Sequence, residues 1–381
     1  MTYIPLARPD ISEVEKKLVA AVLESDTLSR GPMLQRFESM FSELAQSRYA
    51  IGISSGTAGL MMTLTALGVK AGDEVITVSF TVPATVNAIV AVGAIPVMVD
   101  IDESTRGMSA QALEQAITTN TTAVIAVHAF GQAVEIDTIS SICDQRAIPL
   151  IEDACEAIGN EYKGQALGTW ATIGVFGFYA NKQITTGEGG MVVTNDEALA
   201  EHLMALRNHG RKMDGRWLDQ DEFGWSCRLG ELAAALGVGQ LSRFAEIKQA
   251  RREIASIYKE HLQSLPEIRL PQFSQWEVNS SWFVYVINLC NAGAEVRDAV
   301  WLAMCDEGIQ CGRYFAPVHK QPFYQGGYHQ NYQHNLSNYR LPVTEKLANS
   351  CLALPFFNQL TEDQIKIIVA KLSLCLDKES R

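Results

Sequence analysis

Short apolar runs rich in β-branched residues alternate with helical stretches between Ala50 and about Thr194. The pattern predicts strands over residues 75–78, 95–99, 123–127, 149–151 and 191–194. Alternation of this kind is typical of a mainly parallel sheet covered by helices on both faces. We therefore predict an α/β fold with a mostly parallel mixed sheet, and we expect ligands at the carboxyl ends of its strands.

The pattern changes in the last third of the chain. A long helical pattern runs over residues 231–264, and Pro266 and Pro271 then interrupt it. We interpret this stretch as a hinge helix between two domains.

A smaller C-terminal domain is predicted beyond this helix. A strand over residues 282–289 and helices over 295–308 and 364–376 indicate an α+β unit. We therefore divide the chain into residues 1–245, a large domain with an N-terminal segment, and residues 246–381, the hinge helix with the small domain.

Residues 75–99 carry no charged side chain and are long enough to span a bilayer. Pro83, Gly93 and Pro96 interrupt this stretch, and its pattern resolves into a strand, a helix and a strand. We interpret it as a buried unit of the α/β domain. The N-terminal residues lack the apolar stretch of a signal peptide, so we expect a cytoplasmic protein.

The composition favours an enzyme that acts on small molecules. The chain has 381 residues, of which 47% are hydrophobic, and a formal net charge of -12. A nucleic-acid or anionic-membrane binder needs clustered Lys and Arg, which this balance argues against. The eight cysteines are scattered, without a C-x-x-C pair or a Cys/His cluster at metal-ligand spacing, so we expect reduced thiols and no metal site.

Three separated segments carry candidate chemistry, and the first is residues 51–60, with the sequence IGISSGTAGL. A short strand here precedes small and hydroxyl residues and then an apolar helical run. Free N–H groups and the positive end of the helix dipole make such a turn an anion site, and Gly56 allows a phosphate to approach closely. Taken alone, the segment is better explained as an ordinary Ser/Thr helix cap.

The second segment places Asp153 at the carboxyl end of an apolar strand. An ionised carboxylate there can keep a pyridinium nitrogen protonated, which makes the ring of pyridoxal 5'-phosphate (PLP) an effective electron sink. Taken alone, an acidic residue at a strand end is usually a helix cap or a solvated turn residue.

The third segment contains Lys182, between a predicted strand over residues 174–180 and a glycine-rich turn over residues 185–190. A lone lysine is nearly always a solvated surface charge. The apolar and glycine-rich flanks instead favour a desolvated lysine with a lowered pKa, as Schiff-base chemistry requires.

Together these segments resemble the DegT/DnrJ/EryC1/StrS family of PLP-dependent aminotransferases, which has the aspartate aminotransferase fold of type I. The resemblance runs from Pro5 to about Leu372, and its most specific part is NKQITTGEGG at residues 181–190. The remaining matched segments are residues 54–58, 93–97, 152–154, 207–210, 234–237, 240–241 and 314–319.

The resemblance assigns roles to several residues. It implies that Lys182 forms the Schiff base with PLP and acts as general acid and base, and that Asp153 pairs with the pyridine nitrogen. The phosphate would be held at Ser55, Gly56 and Thr57.

Four cofactor contacts depart from the family pattern. Glu156 stands where the family often has His or Gln near the cofactor's phenolic oxygen, and a carboxyl donates there only when protonated. Val82 replaces a ring-stacking aromatic, for which Phe80 is a candidate substitute if both lie on one strand face. Gly177 replaces a serine, and Ser226 replaces an asparagine.

The family's active site also receives groups from a second subunit. The matching stretch here is residues 224–228, with Ser226 near the phosphate and Arg228 expected to contact substrate. A homodimer with shared active sites is therefore implied. Tyr314 and His319, in a segment that borders the substrate in the family, are further candidate substrate contacts, although the same segment is equally explained by packing in the small domain.

The function implied by the resemblance is transfer of an amino group, with L-glutamate as the donor, to a nucleotide-linked keto-deoxysugar for polysaccharide or glycosylated-metabolite biosynthesis. One alternative acceptor is a cyclitol or aromatic-precursor ketone without a nucleotide, and another alternative is a non-catalytic PLP- or sugar-binding regulator. Dehydratases of the family replace the lysine with histidine, so Lys182 argues against that reaction.

Overall fold

The chain folds around a large mixed sheet and a smaller antiparallel one. The computed structural model describes residues 3–211, 219–277, 280–290, 292–326 and 336–379. Its strands are β1 (Tyr49–Ile53), β2 (Glu74–Val78), β3 (Ile95–Val99), β4 (Thr121–Val127), β5 (Leu150–Asp153), β6 (Glu161–Tyr162), β7 (Gln165–Ala166), β8 (Ile173–Gly177), β9 (Gly190–Thr194), β10 (Ile268–Arg269), β11 (Tyr285–Leu289) and β12 (Cys351–Leu354).

The large sheet has seven strands in the order β1-β9-β8-β5-β4-β2-β3. The neighbours from β8 to β3 pair in parallel, and β9 pairs antiparallel with both β8 and β1. The predicted mostly parallel mixed sheet is thereby confirmed. The strand predicted over residues 174–180 ends earlier, at Gly177, because the chain turns away from the sheet there.

Helices cover the sheets. They are α1 (Glu13–Leu23), α2 (Pro32–Ala45), α3 (Gly56–Ala66), α4 (Pro83–Ala91), α5 (Ala110–Ala116), α6 (Ile136–Gln145), α7 (Glu197–Leu206), α8 (Glu231–Ser242), α9 (Phe244–Leu262), α10 (Ala294–Asp306), α11 (Pro342–Ser350) and α12 (Glu362–Glu379). Short 3-10 turns occupy Ala129–Gly131, Val318–Lys320 and Pro322–Gln325.

The long helix predicted over residues 231–264 is two helices, α8 and α9. They meet at Arg243, whose φ of -124° and ψ of 23° are not helical. The guanidinium of Arg243 lies 2.7 Å from a Glu15 carboxylate oxygen and 3.0 Å from one of Asp10. These ion pairs hold the break against the N-terminal segment.

The stretch of residues 75–99 that lacks charge forms β2, α4 and β3, as predicted. Most of its apolar side chains are buried in the α/β unit. Among the described residues, no helix has the length and apolar character needed to cross a membrane.

A second buried cluster surrounds the small sheet, β10-β11-β12. Tyr258 of α9 stacks on Tyr285 of β11 in this cluster, and both are buried. The N-terminal segment joins it, because Ile4 pairs with Ile309 and its N–H donates to the carbonyl of Gly308. The division of the chain at residue 245 stays a prediction.

Helix α2 depends on a carboxylate from another helix. Its N-cap, Gly31, has no side chain to accept the free N–H groups of the first turn. Glu231 of α8, which is buried, accepts from the N–H groups of Gly31, Met33 and Leu34 at 2.9, 2.8 and 3.0 Å. Its negative charge also suits the positive end of the α2 dipole.

Replacing Glu231 with Ala should therefore destabilise the fold. Two buried N–H groups and one partly buried N–H group would lose their acceptor, so we expect the free energy of unfolding to fall by about 2–4 kcal/mol. Urea denaturation measures this change. Glu231→Gln, which keeps one acceptor oxygen, should lose less, and Glu13→Ala at an exposed position is the control. Equal stability of Glu231→Ala and wild type would contradict this role.

Candidate active site

A cavity of about 400 Å³ lies at the carboxyl ends of the parallel strands. It brings together residues that are far apart in sequence, from the ends of β5 and β8, the start of α3 and the segments around Phe283 and Tyr314. The predicted site residues that line it are Ser55, Gly56, Thr57, Val82, Asp153, Glu156, Gly177, Lys182 and Tyr314.

Lys182 lies in a rigid turn between β8 and β9. Its N–H donates to the carbonyl of Tyr179 at 2.9 Å, and the Phe178 carbonyl accepts from the N–H of Thr186 at 3.0 Å. Gly187 closes the turn with a φ of 81°, a conformation that favours glycine. The turn thereby holds the Lys182 side chain in the cavity.

The Lys182 ammonium has two close neighbours. It lies 3.3 Å from a carboxylate oxygen of Glu156 and 4.1 Å from the centre of the Phe283 ring. The other Glu156 oxygen accepts from the N–H of Phe130 at 2.7 Å. Burial raises the pKa of Glu156 above its ordinary value, while the charge of Lys182 opposes that change. The lysine therefore has a counterion besides the apolar neighbours that the sequence indicated.

Asp153 ends β5 and is buried against the cavity. Its carboxylate accepts from the Thr85 hydroxyl at 2.8 Å and from the N–H of Cys155 at 3.3 Å. Among the described residues, no Lys, Arg or His lies within ion-pair distance of it. A buried carboxylate that the chain leaves without a cation suits a protonated ring nitrogen.

The first turn of α3 provides N–H donors beside the cavity. The Ser55 hydroxyl accepts from the N–H of Ala58 at 3.1 Å, so Ser55 is the helix cap. The N–H groups of Gly56 and Thr57 precede any intrahelical acceptor and can bind a phosphate. A Cβ at Gly56 would lie 2.7 Å from the Cys155 sulfur, so a larger residue there would have to displace the Cys155 side chain.

Phe80 does not replace the missing ring-stacking aromatic. Residues 79–82 have left strand β2, so the argument from alternating strand faces fails for them. Phe80 is fully buried and packs edge-on against Phe130 and Phe315, each at 5.7 Å between ring centres. Val82 lines the cavity instead, with 38% of its surface exposed.

His319 does not line the cavity, contrary to the expected substrate contact. It is fully buried, with Nδ1 2.7 Å from the Ser79 hydroxyl and Nε2 3.2 Å from a Glu345 oxygen. Burial lowers the pKa of its imidazole. The ring therefore joins the small C-terminal elements to the loop after β2.

Ser226 and Arg228 also lie outside the cavity of their own chain. Arg228 donates to the Ser226 hydroxyl at 2.7 Å and to the Asn208 side chain at 3.1 Å. The segment runs beside the start of the phosphate turn, because the N–H of Ser54 donates to the carbonyl of Cys227 at 2.9 Å.

Some cavity residues were missed from the sequence. Cys155 and Asn181 adjoin Asp153 and Lys182, so their positions in the same two motifs were a usable signal. Phe283, which lines the cavity, and Thr85, a buried residue that donates to Asp153, had no such signal, because only tertiary packing places them there.

Two solved structures share this fold, and one of them is a PLP-form. Spr1654 from Streptococcus pneumoniae, in its PLP-form, superposes with a TM-score of 0.92 at 26% identity, covering 99% of this chain and 100% of that one. DesI in the presence of its TDP-sugar product gives a TM-score of 0.89 at 28% identity, covering 100% of this chain and 95% of that one. The fold and the cavity define a PLP-dependent aminotransferase of fold type I.

Sequence comparison identifies the family within this class. Residues 9–373 match the DegT/DnrJ/EryC1/StrS aminotransferase family. GDP-perosamine synthase from Escherichia coli O157:H7 is 35% identical over 366 residues, which are 96% of each chain. The chain belongs to the DegT/DnrJ/EryC1/StrS aminotransferase family.

The buried Glu156 should make stability depend on pH. Its pKa is raised in the folded chain above the ordinary 4.5, so the folded chain binds this proton more tightly than the unfolded chain. The resulting stabilisation is fully present below the ordinary pKa and is lost as pH rises through the raised one. The unfolding free energy of wild type minus that of Glu156→Gln should therefore fall with rising pH.

Urea unfolding of the cofactor-free protein between about pH 5 and pH 8 measures this difference. Glu13→Gln, at an exposed carboxylate, is the matched control and should leave the pH profile unchanged over that range. A wild-type minus Glu156→Gln difference that is flat with pH would show that Glu156 does not titrate there.

Proposed function

We propose that this aminotransferase transfers an amino group from an amino acid, with L-glutamate as the expected donor, to a nucleotide-linked keto-deoxysugar. The observation that carries the proposal is the convergence of Lys182, Asp153 and the first turn of α3 on one cavity. These are the groups needed to hold a ring aldehyde, a ring nitrogen and a phosphate, in that order.

PLP fits these residues. Asp153 would pair with the ring nitrogen, and the N–H groups of Gly56 and Thr57 would hold the phosphate beside the Ser55 cap. Val82 and Gly177 would border the cofactor. When bound, PLP supplies an electron sink for chemistry at the α-carbon of an amino acid.

Lys182 is proposed to carry the reacting proton. The free amine of Lys182 would accept the α-proton of the amino-acid donor and would hold it for return on the cofactor side of the nitrogen, while PLP would supply the electron sink. Glu156, 3.3 Å away, then faces the lysine as a second group able to hold a proton. Tyr314 closes the substrate side of the cavity, where burial raises the pKa of its phenol and keeps it protonated.

The acceptor class rests on the relatives. The sequence relative is named for a GDP-linked product, and one structural neighbour was solved with a TDP-sugar. We therefore propose a sugar nucleotide as acceptor, with a GDP-linked keto sugar as the first candidate. A cyclitol or aromatic-precursor ketone would need no nucleotide, so competition by free nucleotides separates the two acceptor classes.

The function is tested by incubating the purified enzyme with L-glutamate and GDP-, UDP- and dTDP-linked keto sugars. We expect 2-oxoglutarate release with at least one of them and a change in the cofactor's absorption when glutamate alone is added. PLP binding without any such half-reaction, across a panel of amino donors, would favour a regulator instead.

Lys182→Ala should remove turnover in the same assay. Loss of the acid/base role alone lowers rates by about 10²–10⁴-fold, and the covalent link to the cofactor is lost as well. Lys163→Ala is the matched control, because that half-exposed lysine pairs with Asp137 on the surface and should keep wild-type activity. Substantial activity of Lys182→Ala would overturn the assignment.

We also propose a homodimer in which Ser226 and Arg228 complete the cavity of the other subunit. The support is that both residues match the family's stretch that acts across subunits, yet neither lines the cavity of its own chain. Arg228 would contact substrate or phosphate, and Ser226 would assist at the cofactor phosphate.

Mixing two inactive variants tests this arrangement. Lys182→Ala and Arg228→Ala dimers should each be inactive or severely impaired. After subunits exchange, half of the dimers are mixed and each carries one intact site, so activity should return to about a quarter of wild type. No recovery, with exchange verified by mass spectrometry of differently tagged subunits, would place both residues in one subunit's site.

A further inference from the structure

Arg106 is a buried arginine with few partners. Only 5% of its surface is exposed, and it sits at a φ of 58° in the turn between β3 and α5. Among the described residues its guanidinium donates one hydrogen bond, to the Asn288 side chain at 2.8 Å, and it lies 5.5 Å from the centre of the Phe130 ring. It has no carboxylate within ion-pair distance in that part of the chain.

The other two buried arginines among the described residues each have more hydrogen-bond acceptors than Arg106. Arg251 donates to three oxygen acceptors, at 2.6, 3.0 and 2.7 Å. Arg297 also contacts three, at 2.5, 2.5 and 3.4 Å, and one of these is the carboxylate of Asp298. A guanidinium has five N–H donors, so Arg106 keeps most of its hydrogen-bonding capacity unused.

Arg106 lines a pocket of about 190 Å³. Besides Arg106 it is lined by Ser104, Arg269, Gln272 and Asn288, all of which carry hydrogen-bond donors. Glu103 is at the same pocket, but its carboxylate already pairs with Arg269 at 3.0 Å and Lys346 at 3.1 Å. The lining therefore holds two guanidinium groups and one carboxylate that has two cationic partners.

We propose that this pocket binds a small oxyanion, a phosphate or carboxylate group, between Arg106 and Arg269. The planar guanidinium fork of Arg106 suits two oxygens of such a group. A buried cation without a counterion is costly in free energy, and an anion would offset that cost. Burial correspondingly lowers the pKa of Arg106.

The pocket is separate from the active cavity, since the two share no lining residue. Its volume is below the roughly 300 Å³ at which pockets begin to hold larger organic ligands, so a whole nucleotide is excluded. Phe130 lies between the two sites, because its ring stacks on Phe315 of the active cavity at 4.9 Å. The expected ligand is thus a free phosphate or a short carboxylate beside the reaction centre.

Thermal unfolding of the PLP-loaded enzyme tests the proposal, because bound PLP fills the phosphate position at α3. Inorganic phosphate should raise the Tm above that in sodium chloride of equal ionic strength. Arg106→Met should weaken the apparent affinity by about tenfold or more, and Arg269→Gln, at a half-exposed position, should weaken it severalfold. Arg146→Met, at a surface arginine, should leave the response unchanged.

A parallel titration with succinate distinguishes a carboxylate ligand from phosphate. Crystals of the PLP-loaded enzyme grown with selenate should show anomalous density beside Arg106. If Arg106→Met fails to fold, Arg269→Gln and the crystals still decide the matter. A phosphate and succinate response that neither variant changes, or anomalous density confined to the active cavity, would overturn the proposal.

Discussion

Burying a carboxylate is costly unless hydrogen-bond donors surround it, and this acidic chain meets that constraint mainly with its own backbone N–H groups. Glu152 is fully buried and accepts from three N–H groups in residues 168–171. Glu231 does the same at the start of α2. Asp100 binds the N–H groups of residues 343–344 at 2.9 Å and so ties α11 to the end of β3. The buried Glu152 and Glu231 and the half-buried Asp100 thereby fix the segments that supply these N–H groups.

In the candidate functional sites, by contrast, a buried charged group has fewer hydrogen-bond partners than it can bind. Glu152 and Asp153 are neighbours on β5 and therefore lie on opposite faces of the sheet. The chain surrounds the first with backbone donors, whereas the second keeps acceptor positions that open on the cavity. Arg106 differs from Arg251 in the same way among the cations. Incomplete pairing of a buried charge thus marks both the active cavity and the proposed anion pocket.

Much of this could be predicted from the sequence, because the informative signals are local. Alternating apolar runs located the strands of the large sheet, and the turns that follow β1, β5 and β8 carry residues that meet at one edge. Prediction failed where the outcome depended on tertiary packing. Phe80 was a candidate only if it and Val82 shared a strand face, but both lie beyond β2, and His319 is buried by partners distant in sequence. The break between α8 and α9 lies at Arg243, which forms ion pairs with the N-terminal segment. The spacing of apolar residues along a helix could not predict these ion pairs.

The pairing of Ile4 with Ile309 has a consequence for the order of folding. Ile4 is synthesised before Ile309, so it gains this backbone partner only after the residues between them have been made. Contacts between residues so far apart in sequence form late in folding. Bringing the two ends of a long loop together costs conformational entropy before the contact can stabilise the chain. Until then the apolar side chain of Ile4 lacks the neighbours that bury it in the folded chain.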